Sequence, residues 1–246
     1  MTITNIALVI PAFNEASTIR GLAQKARAMT PNVIIVNDGS SDDTAAQLHD
    51  IDVQLINLPA NQGKAAALIC GFQAVLQDDR VEGVVTLDGD GQHRIEDLQM
   101  IVDAGQSMPD TIIIGSRLWD TEKFPKARLR ANKFANFWIS WAAGYRIDDS
   151  QSGFRYYPAS LLRNVDLHAL AGRGFVFESE ILILAARKGV HANSVRIPAL
   201  YNAQTFRPSH FRPVADIAKI VRMVSWKLIS RGMNPCGLWR YLRQER

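Results

Sequence analysis

The chain has 246 residues, 47% of them hydrophobic and 21% charged, enough to bury the core of one large α/β domain or two small ones. Its two cysteines, Cys70 and Cys236, have neither disulfide nor metal spacing and fit a reduced cytosolic protein; there is no signal peptide, and the longest apolar uncharged stretch, Phe134 to Tyr145, is too short to span a bilayer. The net charge of +4 is unevenly placed: from Pro213 onward seven basic residues face only Asp216 and Glu245, with no zinc-finger, RNA-binding or helix-turn-helix signature beside them to suggest nucleic acid.

In chain order, short β-branched runs alternate with amphipathic segments. Strands are expected at 6–10, 33–36, 53–56, 84–87 and 111–114, and helices at 17–28, 43–49, 64–76 and 95–104. This rhythm predicts an α/β fold with a largely parallel sheet and helices on both faces. The second half is less regular, with an aromatic-rich helix over 125–142, a polar loop "DDSQSGFR" (148–155), a helix over 176–188 and a strand over 194–201. No repeat or linker interrupts the chain. One domain over 1–212 is therefore expected, followed by a basic amphipathic helical tail over 213–246. The aromatic helix is expected to be core.

Ligands of such sheets bind beyond the carboxyl ends of the strands, and the unusual residues fall there. "PAFNE" follows the first strand, "NDGSSDDT" the second, "NQGK" the third and "DGDGQH" the fourth. Asp38 can accept hydrogen bonds from a base or ribose, or serve only in turn and cap chemistry with Gly39. Gly63 and Lys64 open a helix, an anion site with a cation beside it, although the pattern is not a P-loop. "PAFNE" likewise lacks the glycines of a dinucleotide fingerprint. The sharpest feature is "DGDGQH": Asp88 and Asp90, one residue apart, repel unless something positive lies between them. Hard oxygen ligands on a glycine turn suit Mg²⁺ or Mn²⁺ bound together with phosphates. His93 is either a contact on the metal side or a helix-entry residue.

Five motifs in order, "VIPAFNE", "VNDGSSDDT", "NQGKAAAL", "TLDGDGQH" and "DSQSGFR", resemble the family 2 glycosyltransferases of GT-A (Rossmann-like) fold, over about residues 5 to 212. Within that family they are most similar to polyprenyl-phosphate sugar transferases of the dolichyl-phosphate mannose synthase type. The resemblance implies an inverting, metal-dependent transfer from a UDP- or GDP-linked sugar to a polyprenyl phosphate or other lipid-like acceptor. It places Pro11, Phe13, Glu15 and Asp38 at the nucleotide, with Lys64 near the base or phosphates. Asp88 would contact ribose or metal, and Asp90 and Gln92 would hold Mg²⁺ or Mn²⁺ against the diphosphate. Arg117, and more loosely Arg128, match basic residues near the acceptor phosphate. Asp149, Gln151, Ser152, Gly153 and Arg155 would form the sugar and acceptor-side loop. A phosphate acceptor needs no base, whereas a hydroxyl would need Asp149 or its neighbour Asp148.

The same resemblance reads 205–213, with Arg207, Ser209, His210 and Arg212, as a basic lid over the diphosphate. Glu178 and Glu180 are divided between sugar contact and helix-dipole stabilisation. The chain departs from many relatives in carrying glycines at 89 and 91 and in having no C-terminal membrane spans. Instead Val214, Ile217, Val221, Val224 and Leu228 recur at helical spacing among lysines and arginines, with Trp226, Trp239 and Tyr241 nearby. This tail suits either an anionic membrane surface or packing on the catalytic domain, and the former gives access to a lipid-borne acceptor. The protein would then be cytoplasmic and peripheral on the inner face of the membrane. Two other classes are weighed: a sugar-nucleotidyltransferase, whose glycine-rich signature after the first strand is missing, and a non-catalytic nucleotide-sugar-binding protein, against which the intact motifs argue.

Overall fold

The computed structural model describes residues 3–119, 126–168, 170, 176–198, 213–230 and 232–244, with backbone only at 127, 128, 213–217 and 244. Seven strands form one sheet: β1 (Ile6–Ala12), β2 (Val33–Asn37), β3 (Gln54–Asn57), β4 (Gly83–Thr86), β5 (Thr111–Ser116), β6 (Arg155–Pro158) and β7 (His191–Arg196), in the order β3-β2-β1-β4-β6-β5-β7. β1 pairs in parallel with β2 and β4, β2 with β3, and β5 with β7. Only β6 runs against its neighbours, between β4 and β5. The fold is thus the expected α/β architecture, a mixed, mostly parallel sheet flanked by helices, with helices at the C-terminal end.

Alternation along each strand feeds two apolar layers. Ala7, Val9, Ile34, Val36, Val84, Ile112, Ile114 and Tyr157 face one core, while Ile6, Leu8, Ile10, Ile35, Val85, Ile113 and Tyr156 face the other. The first is covered by α2 (Lys64–Val75), α4 (Lys126–Ala143), α5 (Ala159–Arg163), α6 (Val176–Arg187) and α7 (Pro213–Ile229). The second is covered by α1 (Ile19–Met29) and α3 (Leu98–Ser107).

Several boundaries differ from expectation. The segment 43–49 is a turn with a 3₁₀ stretch only at Ala46–Leu48, because Asp42 Oδ1 accepts from the Thr44 backbone N–H (3.0 Å) and hydroxyl and tightens the chain locally. The expected helix at 95–104 starts as a 3₁₀ turn at Ile95–Asp97 and becomes α-helical from Leu98. The last strand begins at His191 and stops at Arg196, two residues before Pro198, which has no N–H for a ladder. β6 carries no alternating pattern and reads as loop in the sequence; all four of its residues are buried, so no polar face marks it.

The tail is two helices, α7 and α8 (Pro235–Gln244), joined through Met233 and Asn234 with positive φ. Val224 and Leu228 of the expected stripe, with Ile220 beside them, are buried in the first core, so this part of α7 packs on the domain. The expected aromatic core of α4 is only partly such: Ala135, Ile139 and Ser140 are buried, whereas Phe134 is exposed. Phe137, Trp138 and Trp141 form a half-buried edge-and-stack cluster met by Tyr241 of α8. Since Leu228 is 2% exposed, Leu228→Ala should cost about 2–4 kcal/mol of unfolding free energy. Urea denaturation will show it, and an unchanged midpoint would mean that α7 lies outside the cooperative unit.

Candidate active site

Every parallel strand from β1 to β5 delivers its carboxyl end to one edge, and antiparallel β6 begins at that edge, since Arg155 pairs with both Thr86 and Ile114. Residues 88–93 and 149–155 therefore meet although they belong to distant parts of the chain. Their contact is close. Thr86 Oγ1 donates to the Gly153 carbonyl at 2.8 Å, and a Cβ at Gly153 would overlap the Asp88 carboxylate. Glycine is required there by space.

Lys64 opens α2 with its ammonium 2.6 Å from Asp88 Oδ1 and 3.0 Å from Glu178 Oε2, the latter in the first turn of α6. Burial works against the lysine's charge, but the two carboxylates outweigh it and raise its pKa. Burial likewise opposes ionisation of Asp88, and Lys64 reverses this, holding the carboxyl below its ordinary range. Asp90 goes the other way. Burial and then the like charge of Asp88 push it up, while its Oδ1 accepts from the Gln92 backbone N–H at 3.0 Å. The Asp90 carboxylate thus has an unmet demand for positive charge, and with the Gln92 amide it offers hard oxygen donors that suit Mg²⁺ or Mn²⁺. Among the described residues no three His, Cys, Asp or Glu side chains converge as a metal cage, so an ion here needs further oxygens, such as those of a bound diphosphate.

His93 is buried against Phe154, ring centroids 5.6 Å apart, and its Nδ1 has no hydrogen-bond partner among the described residues. Burial, followed by the charge of Arg117, pushes it down to about 3, which leaves a neutral ring at physiological pH.

The 149–155 loop is held by two buried arginines. The Arg117 backbone N–H donates to Asp149 Oδ2 at 2.9 Å, and its guanidinium reaches both Asp149 oxygens at 3.2 and 3.3 Å. Asp149 is fully buried with φ +48°. Arg155, also fully buried, donates to the carbonyls of Ser150 (2.7 Å), Ser152 (2.7 Å) and Glu178 (2.6 Å). It ties the 149–155 loop to the start of α6 and faces inward. Asp148 pairs at the surface with Arg146.

On the β1–β2 side Asp38 is buried, and its oxygens accept from the backbone N–H groups of Gln62 (2.7 Å) and Gly63 (2.8 Å). Burial raises its pKa against the lowering effect of those amides. Gly39, at φ +66°, lies so close to the Ala60 backbone that a Cβ would clash. Pro11 and Phe13 are half-buried at the end of β1 and Glu15 is buried. The two loops interlock: Asn14 and Ala16 donate backbone N–H groups to Ser40 and Asp42, and Glu15 N–H donates to Thr44.

Thus Pro11, Phe13, Glu15, Asp38, Lys64, Asp88, Asp90, Gln92, Arg117, Asp149 and Arg155 gather along one edge. The Arg128 side chain and all of Arg207, Ser209, His210 and Arg212 lie outside the described residues. Two supporting residues escape sequence reasoning. Thr18 Oγ1 donates to the Gly89 carbonyl at 2.8 Å, and Asn136 Oδ1 of α4 accepts from the Ser150 backbone N–H and hydroxyl. A lone threonine or asparagine near a helix carries no pattern that signals such contacts.

Comparison with known proteins places the chain in a family. The sequence profile of glycosyl transferase family 2 matches residues 7–170. The chain is 29% identical over 201 residues to polyprenol monophosphomannose synthase of Mycolicibacterium smegmatis, covering 77% of this chain and 75% of that protein. It is 27% identical over 218 residues to UDP-N-acetylglucosamine–dolichyl-phosphate N-acetylglucosaminyltransferase of Methanococcus voltae, covering 80% and 86%. Among solved structures, glucosyl-3-phosphoglycerate synthase from Mycobacterium tuberculosis, in complex with Mn²⁺, UDP and glucosyl-3-phosphoglycerate, shares the fold at TM-score 0.65 and 17% identity, covering 92% of this chain and 79% of that one.

Replacing Lys64 tests the electrostatic arrangement. Lys64→Met leaves Asp88 and Glu178 without their cation and should cost about 3–5 kcal/mol at pH 7. In the wild type Asp88, with its lowered pKa, contributes stability above the unfolded value near 3.9 that fades as pH falls through the folded one. The deficit of the variant should therefore hold down to about pH 4 and shrink on further acidification. A pH-independent deficit in chemical denaturation would contradict the pairing.

Proposed function

We propose that this chain, which belongs to glycosyl transferase family 2, transfers a sugar from a UDP- or GDP-linked donor to a polyprenyl phosphate, with inversion and with Mg²⁺ or Mn²⁺. Half-buried Asp90, beside the Lys64-neutralised Asp88 at the end of β4, carries the reading. It is the one carboxyl of the pair whose charge is left to be met by a ligand. A divalent cation held by Asp90 and Gln92, with Asp88 nearby, would supply charge neutralisation for the departing diphosphate. Pro11, Phe13, Glu15 and Asp38 would line the nucleotide side, and Arg212 would belong to the lid.

The surroundings of Asp149, with Asp148 paired at the surface to Arg146, support an ionised acceptor. A base for a hydroxyl acceptor should be able to take a proton, yet Asp149 is buried and held by both the backbone and the guanidinium of Arg117. An acceptor already ionised needs no base. Its phosphate oxygen forms the new bond to the anomeric carbon from the face opposite the diphosphate, whose bond breaks and takes the electron pair. Arg117 and Arg155 then serve by fixing the loop against which the acceptor sits. The two curated relatives share a polyprenyl-type phosphate acceptor by name while differing in sugar, which supports the acceptor class and leaves the donor to the pocket. Calorimetry with UDP and GDP should show binding that Mn²⁺ strengthens and that EDTA or Asp90→Ala weakens. A labelled donor should then modify polyprenyl phosphate and leave polyprenol untouched. Transfer to the alcohol at the same rate would sink the phosphate-acceptor reading.

A lipid acceptor requires access to a membrane. No helix among the described residues is long and apolar enough to cross one, but the tail exposes Trp226 (72%), Ile229, Met233, Trp239 and Leu242 with Arg222 and Arg243 among them. Such a surface lies at an anionic interface, and we assign it to the cytoplasmic leaflet. Sedimentation with phosphatidylglycerol vesicles should fall at least severalfold in Trp226→Ala/Trp239→Ala. Equal binding would remove the tail from this role.

A further inference from the structure

At the edge of the sheet opposite the catalytic one, a cavity of about 500 Å³ opens between the ends of α4 and α6, the start of β7, α7 and α8. We propose that it binds a phosphate-bearing anion. Among the described residues its polar lining is Tyr145, Arg187, His191, Lys227, Asn234 and Arg240, and none of those lining it is acidic. Lys227 is paired with Glu180 at 2.6 Å, which lies outside the lining. The volume is that of a small-molecule site.

The site is built. Tyr145 accepts the Ala192 backbone N–H at 2.7 Å and packs on His191, ring centroids 4.6 Å apart. Burial raises its pKa, so the phenol keeps its own hydrogen as a donor. Asn234 bonds back to the Trp141 carbonyl and caps Gly237, which fixes the α7–α8 corner that delivers Arg240. Arg187 and Lys227 lie in the last turns of α6 and α7, where cations complement helix carbonyls. That accounts for two of the charges. It does not account for Arg240, exposed midway along α8, or for the lack of a carboxylate among the described lining residues. The Arg240 guanidinium and the Tyr145 phenol add donors beyond the Lys227–Glu180 pair, and they match the oxygens of a phosphate. This place is separate from the catalytic edge: α6 carries Glu178 in its first turn and Arg187 in its last, about 14 Å apart along the helix.

Inorganic phosphate titrated calorimetrically into the full chain in EDTA should bind saturably, and equally well to Asp90→Ala, in which the catalytic edge is disabled. Arg240→Ala should weaken binding about tenfold, the loss of one charge-assisted hydrogen bond, and Arg240→Lys less. A parallel arm uses phosphatidylcholine vesicles with and without phosphatidylglycerol, with exposed Arg222→Ala as the control for general surface charge. An Arg240 effect on free phosphate identifies a soluble ligand, and one seen only on vesicles, beyond that of Arg222→Ala, identifies a lipid headgroup. Either supports the site. Phosphate binding that is lost in Asp90→Ala, that is indifferent to both Arg240→Ala and Arg187→Gln, or that is absent with no Arg240 dependence on vesicles, overturns it.

Discussion

The working edge depends on one ammonium group. Lys64 sits between Asp88 and Glu178, drawn from the first turns of two helices and the end of a central strand. Without it two carboxylates would be buried with nothing to meet them, a situation proteins avoid by neutralising or pairing the group. With it, Asp88 stays ionised and its charge bears on Asp90. The lysine therefore sorts two nearly adjacent aspartates into different tasks: one is satisfied internally, and the other is left to a ligand.

The fold serves this arrangement through a single reversal. Four parallel strands, β3-β2-β1-β4, present the loops that carry Glu15, Asp38, Lys64, Asp88 and Asp90, and β5 presents Arg117. β6, inserted antiparallel between the two groups, starts where its neighbours end and so brings the 149–155 loop to the same edge. Arg155 then spends its donors on carbonyls of that loop and of α6. A residue placed by resemblance among the acceptor contacts is thus a buried fastener, and the Gly153 backbone lies against the carboxylate of Asp88.

Much of this was legible in the sequence because it rests on local pattern. β-branched runs marked β1, β2 and β4, and strand-end glycines and carboxylates marked the site. Asp88, Asp90 and Lys64 could be named, but not their pairing, since nothing local says that Glu178, more than a hundred residues from Lys64, supplies the second carboxylate. β6 was invisible because a strand buried on both faces has no alternation, and its RYYP run is too short to stand out. The tail showed its helical stripe plainly. Which half would face the protein depended on α4 and α6, whose surfaces the stripe itself does not encode.

The place of β6 also bears on the order in which the molecule can assemble. Thr86 and Gly153, whose hydrogen bond seats the acceptor loop, are 67 residues apart along the chain, and β4 and β5 touch only through β6. The working edge cannot be completed by any early local hairpin. It closes only after a large loop has been gathered, a step whose entropic cost rises with sequence separation. A nascent chain that ends before Arg155 would carry both aspartates and Lys64, yet lack the strand that joins the two halves of the sheet. Catalytic competence in this protein is therefore acquired late, with the closing of the sheet itself.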